Sequence, residues 1–173
     1  MCALADGQIK KIKACAFTGH RTIKPEHREL VAERLVRAIE YCYKEGVRNF
    51  FCGGAVGFDM LAAREVLRFR IYHPDVSLNM LLPCPEQDKK WSDTDRENYA
   101  FLLKNADSVE YVCDNYTPDC MKKRNRRLSE ECDILIAYLF RPRSGAGQTV
   151  RMAKDLGKTV YNLSPTIEVE SAK

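Results

Sequence analysis

No membrane span, secretory leader or metal-finger spacing is expected from this sequence. No apolar run reaches the roughly 18 residues that a bilayer-crossing helix needs. The longest, Ile134 to Phe140, has the length of a buried strand. Met1 to Lys13 holds no apolar core and does not read as a signal peptide. Histidine occurs only three times, and no two cysteines form a Cys-x-x-Cys pair, which removes zinc-finger spacing. No carboxylate pair stands at a spacing that argues for a bound metal, although Mg²⁺ could arrive with a polyphosphate. A net charge of +4 is too mild to mark a nucleic-acid binder by itself. Linkers, repeats and low-complexity tracts are absent too, so residues 1–173 read as one domain with an ordered core over about 14–164.

Cysteine, in contrast, is plentiful, at eight residues in 173. Cys15, Cys52 and Cys132 lie in or beside strand-like apolar runs. They read as small buried hydrophobes kept reduced, which sets the expected location as cytoplasmic. A disulfide framework is the secreted-protein alternative.

The apolar runs alternate with helical patterns. Ala14 to Thr18 reads as a first strand and ends in the polar turn Gly19-His20-Arg21. Pro25 and Glu26 open a helix whose apolar positions, Leu30, Val31, Leu35, Ala38, Ile39 and Cys42, recur with a 3.6 period. Further strands are expected at Arg48–Cys52, Val76–Leu82, Ser108–Val112, Asp133–Leu139 and Thr159–Leu163. Helices are expected from the turn after Cys52 to about Phe69, over Arg96–Ala106, Met121–Glu131 and Thr149–Leu156. Glu86 to Asp95 is polar and holds the only tryptophan, Trp91, while Pro165 to Lys173 reads as a frayed tail. Strand and helix in strict alternation imply an α/β fold: a doubly wound, three-layer, mostly parallel sheet of about six strands with helices on both faces. Ligands of such sheets bind outside the carboxyl ends of the strands.

Those strand ends carry the unusual residues. Phe50 to Cys52 runs into Gly53-Gly54-Ala55-Val56-Gly57-Phe58-Asp59, an apolar strand, a glycine turn and a helix start. Free N–H groups and the positive end of a helix dipole face such a turn, a setting for phosphate. The plain alternative is a tight connection with no ligand. After the fifth strand, Ser144-Gly145-Ala146-Gly147-Gln148-Thr149 repeats the device and adds a hydroxyl for capping or phosphate contact. Two such starts on one sheet point to a phosphorylated ligand. Asp59 would repel a phosphate bound directly at its own helix start. It reads either as a dipole-stabilised first-turn acid, as an acceptor for ribose hydroxyls, or as a general base. His20 is either a donor to phosphate or a surface turn residue. Lys122-Lys123-Arg124-Asn125-Arg126-Arg127 is five-sixths basic. Its readings are a solvated helix face, a nucleic-acid patch, or a helix in which Arg124 and Asn125 alone turn inward.

With these residues in view, the chain resembles the YpsA-like family of bacterial proteins in the SLOG superfamily, which joins the DNA-processing protein DprA with the LOG phosphoribohydrolases. The resemblance covers Phe17 to Leu163 and is carried by Phe17-Thr18-Gly19-His20-Arg21, Gly53 to Asp59, Lys123-Arg124-Asn125 with Asp133, and Gly145-Ala146-Gly147-Gln148-Thr149. It implies a Rossmann-like fold and a pocket for a nucleotide or nucleotide-derived ligand, of the ADP-ribose or NAD type. The residues it assigns to that pocket are Gly19, His20, Arg21, Gly53, Gly54, Ala55, Gly57, Asp59, Arg124, Asn125, Gly145, Gly147, Gln148 and Thr149. Homodimer formation through helices is the assembly it suggests. LOG enzymes carry Pro-Gly-Gly-x-Gly-Thr-x-x-Glu, with a catalytic glutamate. The matching stretch here, Ser144 to Arg151, holds no carboxylate, and Arg151 at its end cannot serve as a carboxylate base.

The leading expectation is therefore a binding module that senses or sequesters a nucleotide-derived ligand. The alternative is a hydrolase of N-glycosidic bonds with Asp59 as the candidate catalytic base. A DprA-like nucleic-acid binder using the basic helix comes third, because its charges point in all directions around the helix.

Overall fold

A computed structural model describes residues 14–169. The expected lack of a leader in Met1 to Lys13 and the last four residues of the expected tail lie outside the described residues. The order is β1 (Ala14–Gly19), α1 (Arg28–Lys44), β2 (Asn49–Cys52), α2 (Phe58–Tyr72), β3 (Ser77–Leu82), α3 (Asp93–Asn105), β4 (Ser108–Tyr111), α4 (Cys120–Glu131), β5 (Ile134–Tyr138), α5 (Gly145–Asp155) and β6 (Thr159–Asn162). A short 3₁₀ turn, Pro25–His27, precedes α1.

The six strands form one sheet in the order β4-β3-β2-β1-β5-β6, and every pairing is parallel. The chain walks outward from β1 to β4, then returns across the sheet to place β5 against β1. Right-handed crossovers then force α1, α2 and α3 onto one face and α4 and α5 onto the other. The core splits accordingly. Cys15, Phe17, Ile134, Ile136 and Tyr138 pack under α1 to α3 with Val31, Leu35, Phe58 and Leu102. Ala16, Leu135 and Ala137 point the opposite way and pack with Leu128, Val150 and Ala153 of α4 and α5. β5 is buried on both faces, which explains its unbroken apolar run. No helix among the described residues is long and apolar enough to cross a membrane.

Two helices start earlier than their sequence pattern suggests. Ser92 caps α3 by accepting from the Asp95 N–H, so the helix begins at Asp93 rather than Arg96. Ser144 caps α5 by accepting from the Gly147 N–H at 3.0 Å, so the glycines expected in a loop form the first turn instead. The expected tail is also tied down over its described part. The Glu168 N–H donates to the Phe140 carbonyl at 2.7 Å, and the Glu168 carboxylate lies within ion-pair reach of Lys24 and Arg141.

Candidate functional site

Strand order reverses between β1 and β5, so helices leave their carboxyl ends toward opposite faces and open a crevice. A cavity of about 270 Å³ lies there. Thr18, Gly19, His20 and Arg21 line it from the end of β1, and Ala55 and Asp59 from the β2–α2 turn. Met121, Arg124, Asn125 and Leu128 line it from α4, and Ser144, Gly145 and Ala146 from the start of α5.

Asp59 is the chemical centre. Its side chain is buried, with the residue 5% exposed. Oδ2 accepts from the Ala55 N–H at 3.2 Å, while Oδ1 is buried with no partner. Burial pushes the carboxyl up to about 6, against the opposing pull of the Arg124 charge and the Ala55 amide. Arg124 is nearly as buried. It donates to the Gly53 carbonyl through Nη1 and to Asn125 Oδ1 through Nε at 2.9 Å. Of the basic run, Arg124 and Asn125 turn inward, and Lys122, Lys123 and Arg126 stay in solvent. Arg127 pairs with Glu110 and Glu131 on the surface.

Nε2 of His20 does a job that its sequence context does not announce. It accepts from the Phe140 and Arg141 N–H groups at 3.0 and 3.1 Å. The ring therefore fastens the end of β1 to the loop leaving β5 through Nε2, which leaves Nδ1 as its donor side. Burial, then the Arg141 charge, holds it below the ordinary histidine value.

The glycines divide sharply. Gly54 has φ +70 and a side chain there would strike Leu82, Met80 and Tyr99. Gly57 has φ +91 and faces the Arg21 backbone. Both serve the protein's own packing. Beside Gly53 lies the Arg124 guanidinium, beside Gly19 the Phe58 ring, and beside Gly147 the Pro142 carbonyl. Among these candidates only Gly145 opens onto empty space, at the cavity wall. There a ligand can meet the first amides of α5.

The structure thus gathers Gly19, His20, Arg21, Ala55, Asp59, Arg124, Asn125 and Gly145 around one cavity. Gly53, Gly54, Gly57, Gly147, Gln148 and Thr149 do not line it. Thr149 is wholly buried and its hydroxyl donates to the Gly145 carbonyl, so it supports the helix start from beneath. Met121 and Leu128 are lining residues the sequence reading passed over. Their signal was present: Met121, Arg124, Asn125 and Leu128 form an i, i+3, i+4, i+7 stripe.

A doubly wound parallel sheet, a cavity at its switch point and a glycine-bearing helix start on each side of it define a Rossmann-like α/β domain. The chain belongs to the YspA SLOG family, whose YpsA model matches residues 16–159. A UPF0398 protein of Bacillus thuringiensis (strain Al Hakam) is 27% identical over 157 residues, covering 85% of each chain. Among solved structures, DNA processing protein A from Streptococcus pneumoniae superposes with a TM-score of 0.63 at 18% identity, over 88% of this chain and 50% of that one. DNA processing protein A from Helicobacter pylori, described for its single-stranded DNA binding mode, gives 0.60 at 19% identity, over 87% of this chain and 64% of that one. The present chain spans only about half to two thirds of those two proteins, and the likeness is one of fold.

Proposed function

We propose that this protein binds a nucleotide or nucleotide-derived phosphorylated ligand in the switch-point crevice, as a cytoplasmic sensor or sequestering module. The observation that carries the reading is Asp59 Oδ1, a buried acceptor without a donor on the wall of a cavity. Buried polar atoms are satisfied almost everywhere in folded proteins, so a donor arriving with a ligand completes the site. Ribose hydroxyls are donors of the right kind. The start of α5, with Gly145 open to the cavity, offers amides and a positive dipole end to the phosphate attached to that ribose. Binding without turnover is favoured by α5, whose first turn holds no carboxylate to act as a base; Arg151 Nη1 there donates to the Pro142 carbonyl at 2.9 Å, bracing the loop.

A thermal-shift screen with adenine nucleotides, ADP-ribose and NAD tests this reading. Stabilisation is expected from at least one of them and is lost in Asp59→Asn. No shift with any compound overturns it.

A second reading keeps Asp59 as a general base, because a carboxyl near 6 sits close to working pH. Release of free base from a nucleoside monophosphate, abolished in Asp59→Asn, would establish hydrolysis. The fold shared with the DNA processing proteins, together with the solvent-facing Lys122, Lys123 and Arg126, supports a nucleic-acid reading. Salt-dependent single-strand binding that weakens when those three are neutralised is its signature.

A further inference from the structure

A groove of about 660 Å³ adjoins the crevice and shares Arg21 and Met121 with it. The segment after β3 and the turn before α4 supply its other walls, with Gln87, Lys89, Lys90, Trp91 and Tyr116 among them. Its chemistry differs from that of the crevice. Trp91 rests edge-on against Tyr99, ring centroids 5.1 Å apart, which fixes the indole. Tyr116 is 65% exposed. Arg21, Lys89 and Lys90 outnumber the one carboxylate, Glu86. Aromatic faces set among cations are suited to a base carried on phosphate.

Gln87 adds an independent observation. Its residue is 8% exposed. Nε2 donates to the Tyr99 hydroxyl at 3.2 Å and toward the Gly53 carbonyl at 3.4 Å. Oε1 is buried with no partner. Crevice and groove therefore each hold one buried acceptor that lacks a donor, Asp59 Oδ1 in the first and Gln87 Oε1 in the second. The crevice alone, at about 270 Å³, falls below the usual ~300–1,000 Å³ of small-molecule sites. A ligand larger than a mononucleotide has to pass Arg21 and enter the groove.

We propose that crevice and groove form one bipartite site for a dinucleotide-class ligand, two nucleoside units joined through phosphate. The linking phosphate lies at Arg21, and the second base lies against Trp91 and Tyr116. This rests on the reading of the crevice as a nucleotide site. Pyrophosphate and phosphodiester linkages share the chemistry, and the probes below tell them apart.

Isothermal titration calorimetry with AMP, NAD and the dinucleotide pApA tests it. NAD or pApA is expected to bind at least about tenfold more tightly than AMP, the gain that stacking one base provides. Tyr116→Ala and Lys90→Ala should each erode that gain while leaving AMP affinity within about twofold, since both side chains lie outside the crevice. Whichever of the two larger probes binds better identifies the linkage. If AMP binds as tightly as both, or the two variants leave the gain intact, the bipartite site is overturned and the crevice reading stands. If no probe binds, the crevice reading falls and takes this one with it. Affinity that keeps climbing for oligonucleotides longer than pApA overturns the dinucleotide assignment in favour of a single-strand binder. Because Tyr116 is mostly exposed, its variant should fold, and an unchanged unfolding midpoint verifies that.

Discussion

Arg124 donates through Nη1 to the carbonyl of Gly53 at 2.5 Å, between residues 71 apart in the sequence. Arg124 belongs to α4 on one face of the sheet, and Gly53 begins the turn into α2 on the other. The bond draws the two faces together at the crevice floor and keeps a cation near the Asp59 carboxylate.

Arg124→Ala removes that cation and leaves Asp59 and the Gly53 carbonyl buried without it. Stability should fall by about 3–5 kcal/mol, as when one partner of a buried charge pair is deleted. The Asp59 carboxyl should titrate still higher than its present value of about 6. Urea unfolding reads the first effect and a carboxyl-carbon NMR titration the second. Arg124→Lys should recover little, because an ammonium lacks the planar fork that reaches both Gly53 and Asn125.

Asp59 sets a pH dependence of definite sign. Its folded value of about 6 lies above the ordinary 3.8, so between those values the folded state holds a proton that the unfolded state has released. Stability from this group is complete below about 4 and declines as pH rises through 6. Relative to Asp59→Asn, the wild type should lose on the order of 3 kcal/mol between those limits. Chemical unfolding of both proteins at a series of pH values measures the difference. Parallel curves would mean that the carboxylate is not burdened by burial.

His20 works in the opposite direction. Its value lies below the usual 6.5, because burial and then the Arg141 charge disfavour the protonated ring. Its contribution is present above 6.5 and is lost as pH falls below that value, where the unfolded chain takes up a proton and the folded one resists. His20→Ala should abolish this acid-side loss and quicken amide exchange at Phe140 and Arg141. Hydrogen exchange of those two amides provides the check.

Two glycine substitutions separate packing from binding. Gly54→Val should destabilise by more than about 2 kcal/mol, through strain at positive φ and collision with Leu82 and Met80. Gly145→Val meets open space at a helix start. It should leave stability within about 1 kcal/mol while weakening nucleotide binding at least about tenfold by filling the approach to the α5 amides. Thermal unfolding paired with calorimetric titration distinguishes the two variants.

Sheet and layers were legible because apolar runs and 3.6-period helices alternate without interruption from Ala14 to Leu163. Strand ends pointed to loops that line the cavity, and an inward turn of Arg124 and Asn125 alone was one of three readings of the charged helix. What the sequence could not convey was which groups those loops would occupy for themselves. Glycine spacing looks the same whether a ligand or a neighbouring backbone fills the missing side chain, and at Gly54, Gly57 and Gly147 the protein does so. That His20 accepts from the Phe140 and Arg141 amides is likewise invisible in one-letter code, because it depends on the pairing of β1 with β5. The early starts of α3 and α5 follow from serine caps whose oxygen reaches three residues ahead.

That pairing has a bearing on biosynthesis. Cys15 meets Ile134 across the β1–β5 ladder, so a nascent chain lacks one wall of its cavity until β5 and the start of α5 have left the ribosome. Shorter, earlier hairpin-like contacts cannot assemble the pocket in stages, since each parallel neighbour waits for a full crossover. Any product cut short before β5 is accordingly without the crevice.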